Sequence, residues 1–226
     1  MPADNERIHL PYDDVRDYIL DADVLLYRGR SLISKFIQVA GRSRYSHAAL
    51  AGWTNGDDPD SPYSRLMAYE MLRFGGTGTH LRSHAEKWPG KIDVYRVSDL
   101  FTTFEWDTSL NAQRGQSRVL DRRLAVAKMK DFCRTGEYGR WHLIKAAFQH
   151  TPVIRFFFKP PTDDQIEHDG MPPFCSEAIA YALRKAFADV VANTPDRFTE
   201  PGDLARSPLL HYMFTLDAPK EGQDDA

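Results

Sequence analysis

Three short apolar runs constrain this chain most: "SHAALAGW" (46–53), "LMAYEMLRF" (66–74) and "KIDVYRV" (91–97), separated by the turn-rich stretches "TNGDDPDSPYS" and "GGTGTHLRSHAEKWPG". Apolar runs of this length, bounded by Gly, Pro, Asn and Asp, are too short for free-standing helices and suit strands. Consecutive strands joined by polar loops pair antiparallel. A further strand is expected in "DADVLLYRG" (21–29), followed by a short, half-buried helix over 30–41. In that helix Ser31 would cap the start, Gly41 would stop it, and Leu32, Phe36 and Val39 recur at helical spacing.

Two longer segments carry helical periodicity. In "SRVLDRRLAVAKMKDFCRTG" (117–136), Leu120, Leu124 and Ala127, with Val126, Met129 and Cys133 beside them, define a packed face. From Cys175 in "MPPFCSEAIAYALRKAF" (171–187), Ile179, Leu183 and Phe187, and Val190 just beyond the stretch, follow at intervals of four and three. Between these helices, residues 137–172 read as a loop-rich, Pro-containing and charged insertion expected to border the site. Downstream, "TPDRFTEPGDLARSPLL" is full of turn signals, "HYMFTL" suits a last strand, and a flexible acidic tail is expected from about residue 217. The expectation is one α+β domain over residues 1–226, in which a small antiparallel sheet packs on helices. With 226 residues and 42% of them hydrophobic, the chain is long enough to bury a real core.

A formal charge of −3 offers no electrostatic reason to expect a nucleic-acid or anionic-membrane partner. The first twenty residues lack the basic start and apolar run of a secretory signal, and no window approaches the length of a membrane span. A cytoplasmic protein is expected, with delivery by another route left open. Two cysteines, Cys133 and Cys175, stand in contrasting contexts and suggest no disulfide framework.

Cys133 lies in register with Val126 and Met129 and reads as a buried, inert thiol. Cys175 stands at the head of its helix, where unpaired N–H groups and the partial positive charge of the helix end favour a thiolate. Pro172 and Pro173 prevent the helix from extending backwards. A cysteine nucleophile needs a base, and His47, at the start of a strand that continues with Ala49, Ala51 and Trp53 on the same face, is the best placed of the eight histidines. Glu70 is a carboxylate inside an apolar strand, alternating with Ala68 and Leu72. It costs free energy there unless paired, so it would either orient an imidazole or bind an arginine.

At these residues the chain resembles the permuted NlpC/P60 cysteine hydrolases, the papain-like group that includes the YaeF/YiiX type. The resemblance rests on an ordered set: Asp23 to Gly29, Ser46 and His47, Glu70, Phe174 to Glu177, and Pro201 to Leu204. It spans about residues 20–210, and the order His, acid, Cys reverses that of ordinary NlpC/P60 enzymes. It implies a circularly permuted papain-like core with the nucleophile helix packed on the sheet. Cys175 would be the nucleophile, His47 the general base and acid, and Glu70 the orienting residue. The implied activity is hydrolysis of an amide, peptide or peptidoglycan-type, through an acyl-enzyme and without a metal or other cofactor. The Cys175 backbone N–H would serve an oxyanion hole, with Tyr27 or Tyr45 adding a hydroxyl.

Other readings stay open. The same residues would serve a lipid-ester hydrolase or acyltransferase on acylated lipids, with "VIRFFFKPP" as an apolar lip, or the fold could bind a partner without catalysis. His80, His84 and Glu86 in "THLRSHAE" would suit a metal hydrolase, but the segment lacks the intervening Glu of a zinc-peptidase motif. "FGGTGTH" lacks the Lys-Ser/Thr of a phosphate loop and reads as a hairpin loop.

Overall fold

A computed structural model describes residues 6–55, 64–72, 75–107, 112–135, 175–191, 194, 196 and 199–220. The expected insertion over 137–172, with its apolar "VIRFFFKPP" segment, Pro172, Pro173 and Phe174, lies outside the described residues. So does the end of the acidic tail.

A seven-stranded sheet organises the chain. Its strands are β1 (His9–Pro11), β2 (Val24–Tyr27), β3 (His47–Trp53), β4 (Leu66–Leu72), β5 (Gly75–His80), β6 (Ile92–Val97) and β9 (Leu210–Asp217), in the spatial order β1-β9-β6-β2-β3-β4-β5. Every neighbouring pair is antiparallel except the parallel edge pair β1 and β9. Strands β7 (Leu100–Asp107) and β8 (Ala112–Val119) form a separate antiparallel hairpin. The helices are α1 (Tyr12–Val15), α2 (Leu32–Ala40), α3 (Leu81–Lys87), α4 (Arg122–Thr135), α5 (Cys175–Lys185) and α6 (Pro201–Arg206).

Alternation along the strands divides the core into two layers. Leu26, Ala48, Leu50 and Met71 pack with Val126 and Met129 of α4 and with Ile179 and Leu183 of α5. On the opposite face Leu25, Ala49, Ala51, Ala68 and Val94 pack with Tyr12, Val15 and Ile19 and with Leu81 and Ala85 of α3. Each fully buried Ile or Leu contributes about 1.5–3 kcal/mol by leaving water. The small residues Ala48, Ala49 and Ala51 keep both helical layers close to β3.

Several expectations change. "GGTGTH" is the edge strand β5 rather than a loop, because α4 crosses it closely. A Cβ on Gly76 would lie 2.5 Å from the Cys133 Cα, and one on Gly78 would lie 2.8 Å from the Tyr69 ring. The turn-rich stretch that follows forms α3, and α6 interrupts "TPDRFTEPGDLARSPLL", with Glu200 and Asp203 forming a reciprocal capping box. Residues 117–119 end β8, and Ala127 faces solvent while Ala125 takes the buried position. Phe187 is exposed with φ +74, because the chain has left α5 by then. Beyond β9, the Lys220 ammonium bonds Asp14 and its backbone N–H bonds Asp13.

Helix α2 differs most in orientation. Ser31 caps it as expected, its side chain accepting from the Ser34 N–H at 3.0 Å. The inner side carries Ser34, Ile37 and Gln38, however, and Gln38 donates to the carbonyls of Gly29 and Arg44. The part-buried carbonyls of Gly29 and Arg44 require a polar partner, so the Gln38 side of the helix faces inward and the apolar stripe Leu32, Phe36 and Val39 is turned outward.

Candidate active site

The register of three strands assembles the site. Tyr27 at the end of β2 pairs with His47 at the start of β3, and β3 pairs with β4, which carries Glu70. Alternation directs His47 and Glu70 to the face covered by α3. His47 Nε2 lies 2.5 Å from Glu70 Oε2, so the carboxylate accepts the ring proton and fixes the ring's rotation. Nδ1 is thereby left for Cys175, whose sulfur is hydrogen-bonded to His47. Cys175 is the first residue of α5, which packs on the other face of β3, so the thiol meets the imidazole at the end of that strand.

Electrostatics follow from this contact. Burial works against a thiolate at Cys175, but the His47 charge and hydrogen bond outweigh it. Backbone N–H groups of Ala48 and Ser176 also point at the sulfur, and the net shift lowers the thiol's pKa from its ordinary value. Burial likewise opposes a charged His47, yet Cys175 first and Glu70 after it push the imidazole up to about 10. The two shifts favour a thiolate beside an imidazolium over the neutral pair. Both residues are half-buried.

Cys133 has the opposite character. It lies 3.4 Å from the Thr77 carbonyl, and burial raises its pKa. The Glu70 charge acts in the same direction as burial.

Two side chains extend the site behind Glu70. His84 Nε2 stands 3.3 Å from Glu70 Oε1, and His84 Nδ1 lies 2.7 Å from the Tyr27 hydroxyl. Burial lowers the His84 pKa, and the His47 and Lys87 charges act in the same direction against the Glu70 charge. A neutral His84 facing an acceptor-only carboxylate keeps its proton on Nε2 and accepts the Tyr27 O–H on Nδ1. The Tyr27 ring also packs 5.3 Å from the His47 ring, centroid to centroid. His84 was legible only as a possible metal ligand, although Leu81, His84 and Ala85 share one side of α3, which would have marked it as inward-facing.

The metal grouping does not assemble. His80 contacts Arg65 at 3.5 Å, and Glu86 pairs with Arg82, both away from His84's partners. Among the described residues no group of three or more His, Cys, Asp or Glu side chains is arranged to hold a metal ion. Tyr45 is also removed from the site. Its hydroxyl donates to Asp93 at 2.6 Å and meets Tyr95 at 2.9 Å, in a buried network that includes Arg7 and Thr215. Ser176 donates to the Thr199 carbonyl at 2.6 Å, tying α5 to the chain before α6.

No protein-family model matches the chain, and no curated protein matches it. Among solved structures it is similar to the crystal structure of metalloprotein YiiX from Escherichia coli O157:H7, also described as DUF1105. The identity is 18%, the alignment covers 88% of this chain and 98% of that one, and the TM-score is 0.49.

Proposed function

We propose that this protein is a cysteine hydrolase that cleaves amide bonds through Cys175, His47 and Glu70, on a permuted papain-like core. The observation that carries the reading is His47 held between two partners, Glu70 on Nε2 and Cys175 on the other side of the ring, with the thiol and imidazole shifted in opposite directions.

The Cys175 thiolate attacks the carbonyl carbon, forming a C–S bond and moving the carbonyl electrons onto oxygen. The Cys175 backbone N–H is the donor assigned to that oxyanion. His47 then gives its Nδ1 proton to the amide nitrogen as the C–N bond breaks, and the amine departs. Water attacks the thioester carbonyl while His47 takes a proton from it, and the thiolate leaves with the acid as product. Glu70 holds the imidazole in orientation throughout and offsets its charge. Peptides and peptidoglycan fragments are the substrates this reading names.

A lipid-ester hydrolase or acyltransferase would use the same three residues. The outward apolar stripe of α2, the helix that precedes β3 and His47 in the chain, is the observation that favours it.

The test is alkylation by iodoacetamide followed by peptide mass mapping, on wild type and on Cys175→Ala, Cys133→Ala and His47→Ala. Cys175 should react much faster than Cys133, and His47→Ala should abolish the difference. Turnover assays on muropeptides, protein amides and acylated lipids then separate the substrate classes. Modification of Cys133 with Cys175 left intact would overturn the assignment.

A further inference from the structure

Helix α2 presents an unusual surface for a helix joined so closely to the sheet. Leu32, Phe36 and Val39 are 85%, 54% and 78% exposed, and their spacing of four and three aligns them along one side. Around them Arg30 precedes the helix, Lys35 lies beside the stripe and Arg42 follows its end, all three exposed. None of the chain's 32 acidic residues occurs between Val24 and Gly56. The overall formal charge of −3 therefore conceals a local basic surface surrounding an apolar one. Glu200, brought from a distant part of the chain, stands against Gly41 on the inner side of the helix end.

We propose that α2 docks on the surface of a bilayer that carries anionic phospholipid. Leu32, Phe36 and Val39 enter the boundary between headgroups and acyl chains, and Arg30, Lys35 and Arg42 meet phosphate groups around them. An apolar stripe alone would suit many partners, whereas apolar side chains flanked by cations, with no acidic residue in the segment, match the chemistry of an anionic lipid interface. Among the described residues no helix is long and apolar enough to cross a membrane, so the contact is with the surface.

The helix is preorganised for this contact. Ser31 caps its start, and Gln38 fastens it to the Gly29 and Arg44 carbonyls at 3.0 and 2.7 Å. Gly29 in turn donates to Ser46, the neighbour of His47, at 3.1 Å. Docking orders no new segment, and it sets the start of β3 close to the lipid surface. The proposal does not depend on the reaction at Cys175, because binding is read without turnover.

The test is co-sedimentation with vesicles of phosphatidylcholine alone and of equimolar phosphatidylcholine and phosphatidylglycerol. Wild type should sediment with the anionic vesicles and not with the neutral ones, and added salt should release it. Leu32→Ser/Phe36→Ser/Val39→Ser and Arg30→Glu/Lys35→Glu/Arg42→Glu should each bind roughly tenfold more weakly or worse. Both should melt like wild type, since the altered side chains are exposed. Phe36→Ser alone, also expected to weaken binding, keeps the test decisive if a triple variant fails to fold. Wild type that ignores both vesicles, or binds both equally, overturns the proposal, as does a folded variant that binds as wild type. A wild-type dimer that the apolar variant dissolves, without vesicle binding, would assign the stripe to a second copy.

Discussion

The Tyr27 hydroxyl lies 2.7 Å from His84 Nδ1, closing a polar chain that runs from α3 through Glu70 to His47 and Cys175. Glu70 thus has a partner on each carboxylate oxygen. A carboxylate bound to one imidazole alone could rotate about its final torsion. One held from both sides presents Oε2 to His47 in a single direction.

Glu70→Gln tests the electrostatic part of this arrangement. The amide keeps the shape but loses the charge that supports the His47 imidazolium. Turnover should fall by roughly 10²–10⁴-fold, the range of a general acid–base contribution, with the melting temperature little changed. Comparable activity in Glu70→Gln would show that the carboxylate's charge is dispensable.

Tyr27→Phe tests the far end of the chain. Removing the hydroxyl leaves a buried ring nitrogen of His84 without its donor, which should cost about 1–3 kcal/mol of stability in a denaturant titration. His84 should then become easier to protonate, because a second N–H no longer competes with the Tyr27 proton, and its imidazole resonances in NMR should titrate at higher pH than in wild type.

The pH dependence of Cys175 follows from the two opposed shifts. A lowered thiol pKa means that the thiolate persists as pH falls below the ordinary thiol range and is lost only on passing the depressed value. The raised imidazole stays protonated until about pH 10. Activity should therefore follow a bell whose alkaline limb lies near pH 10, its limits belonging to the coupled pair. Iodoacetamide reactivity of Cys175 should persist to lower pH than that of Cys133, and in His47→Ala its midpoint should move up. An unchanged midpoint in that variant would contradict the ion pair.

Asp93→Leu separates stability from chemistry. The fully buried Asp93 accepts from Arg7, Tyr45 and Thr215, and its removal takes the carboxylate counter-charge away from the equally buried Arg7 guanidinium. The loss should be about 3–5 kcal/mol by thermal or chemical unfolding. Iodoacetamide should still distinguish Cys175 from Cys133 in whatever fraction remains folded, because this network does not touch the site.

Gly76→Ala probes the closeness of β5 and α4. The added methyl would meet backbone atoms of Cys133 at 2.5 Å, and backbone cannot swing aside as a flexible side chain can. A destabilisation of about 1–3 kcal/mol is expected from unfolding curves, typical of overpacking.

By itself the sequence determined the elements whose signals are local. Short apolar runs bounded by turn residues marked β2, β3, β4 and β6, "HYMFTL" marked β9, and helical periodicity with a defined start marked the helix that begins at Cys175. The residue types and chain order of Cys175, His47 and Glu70 were legible for the same reason: each sits where its local pattern makes a reactive or charged side chain conspicuous. Tertiary structure decided what depends on distant neighbours. Glycine-rich β5 is a strand because α4 packs within reach of its backbone, and His84 serves Glu70 because α3 covers the face to which β4 directs that carboxylate. The periodicity of α2 announced an apolar side but not its direction, since a stripe of Leu32, Phe36 and Val39 has the same spacing whether it meets a core or solvent. The carbonyls of Gly29 and Arg44, which need the Gln38 amide, turned that stripe outward.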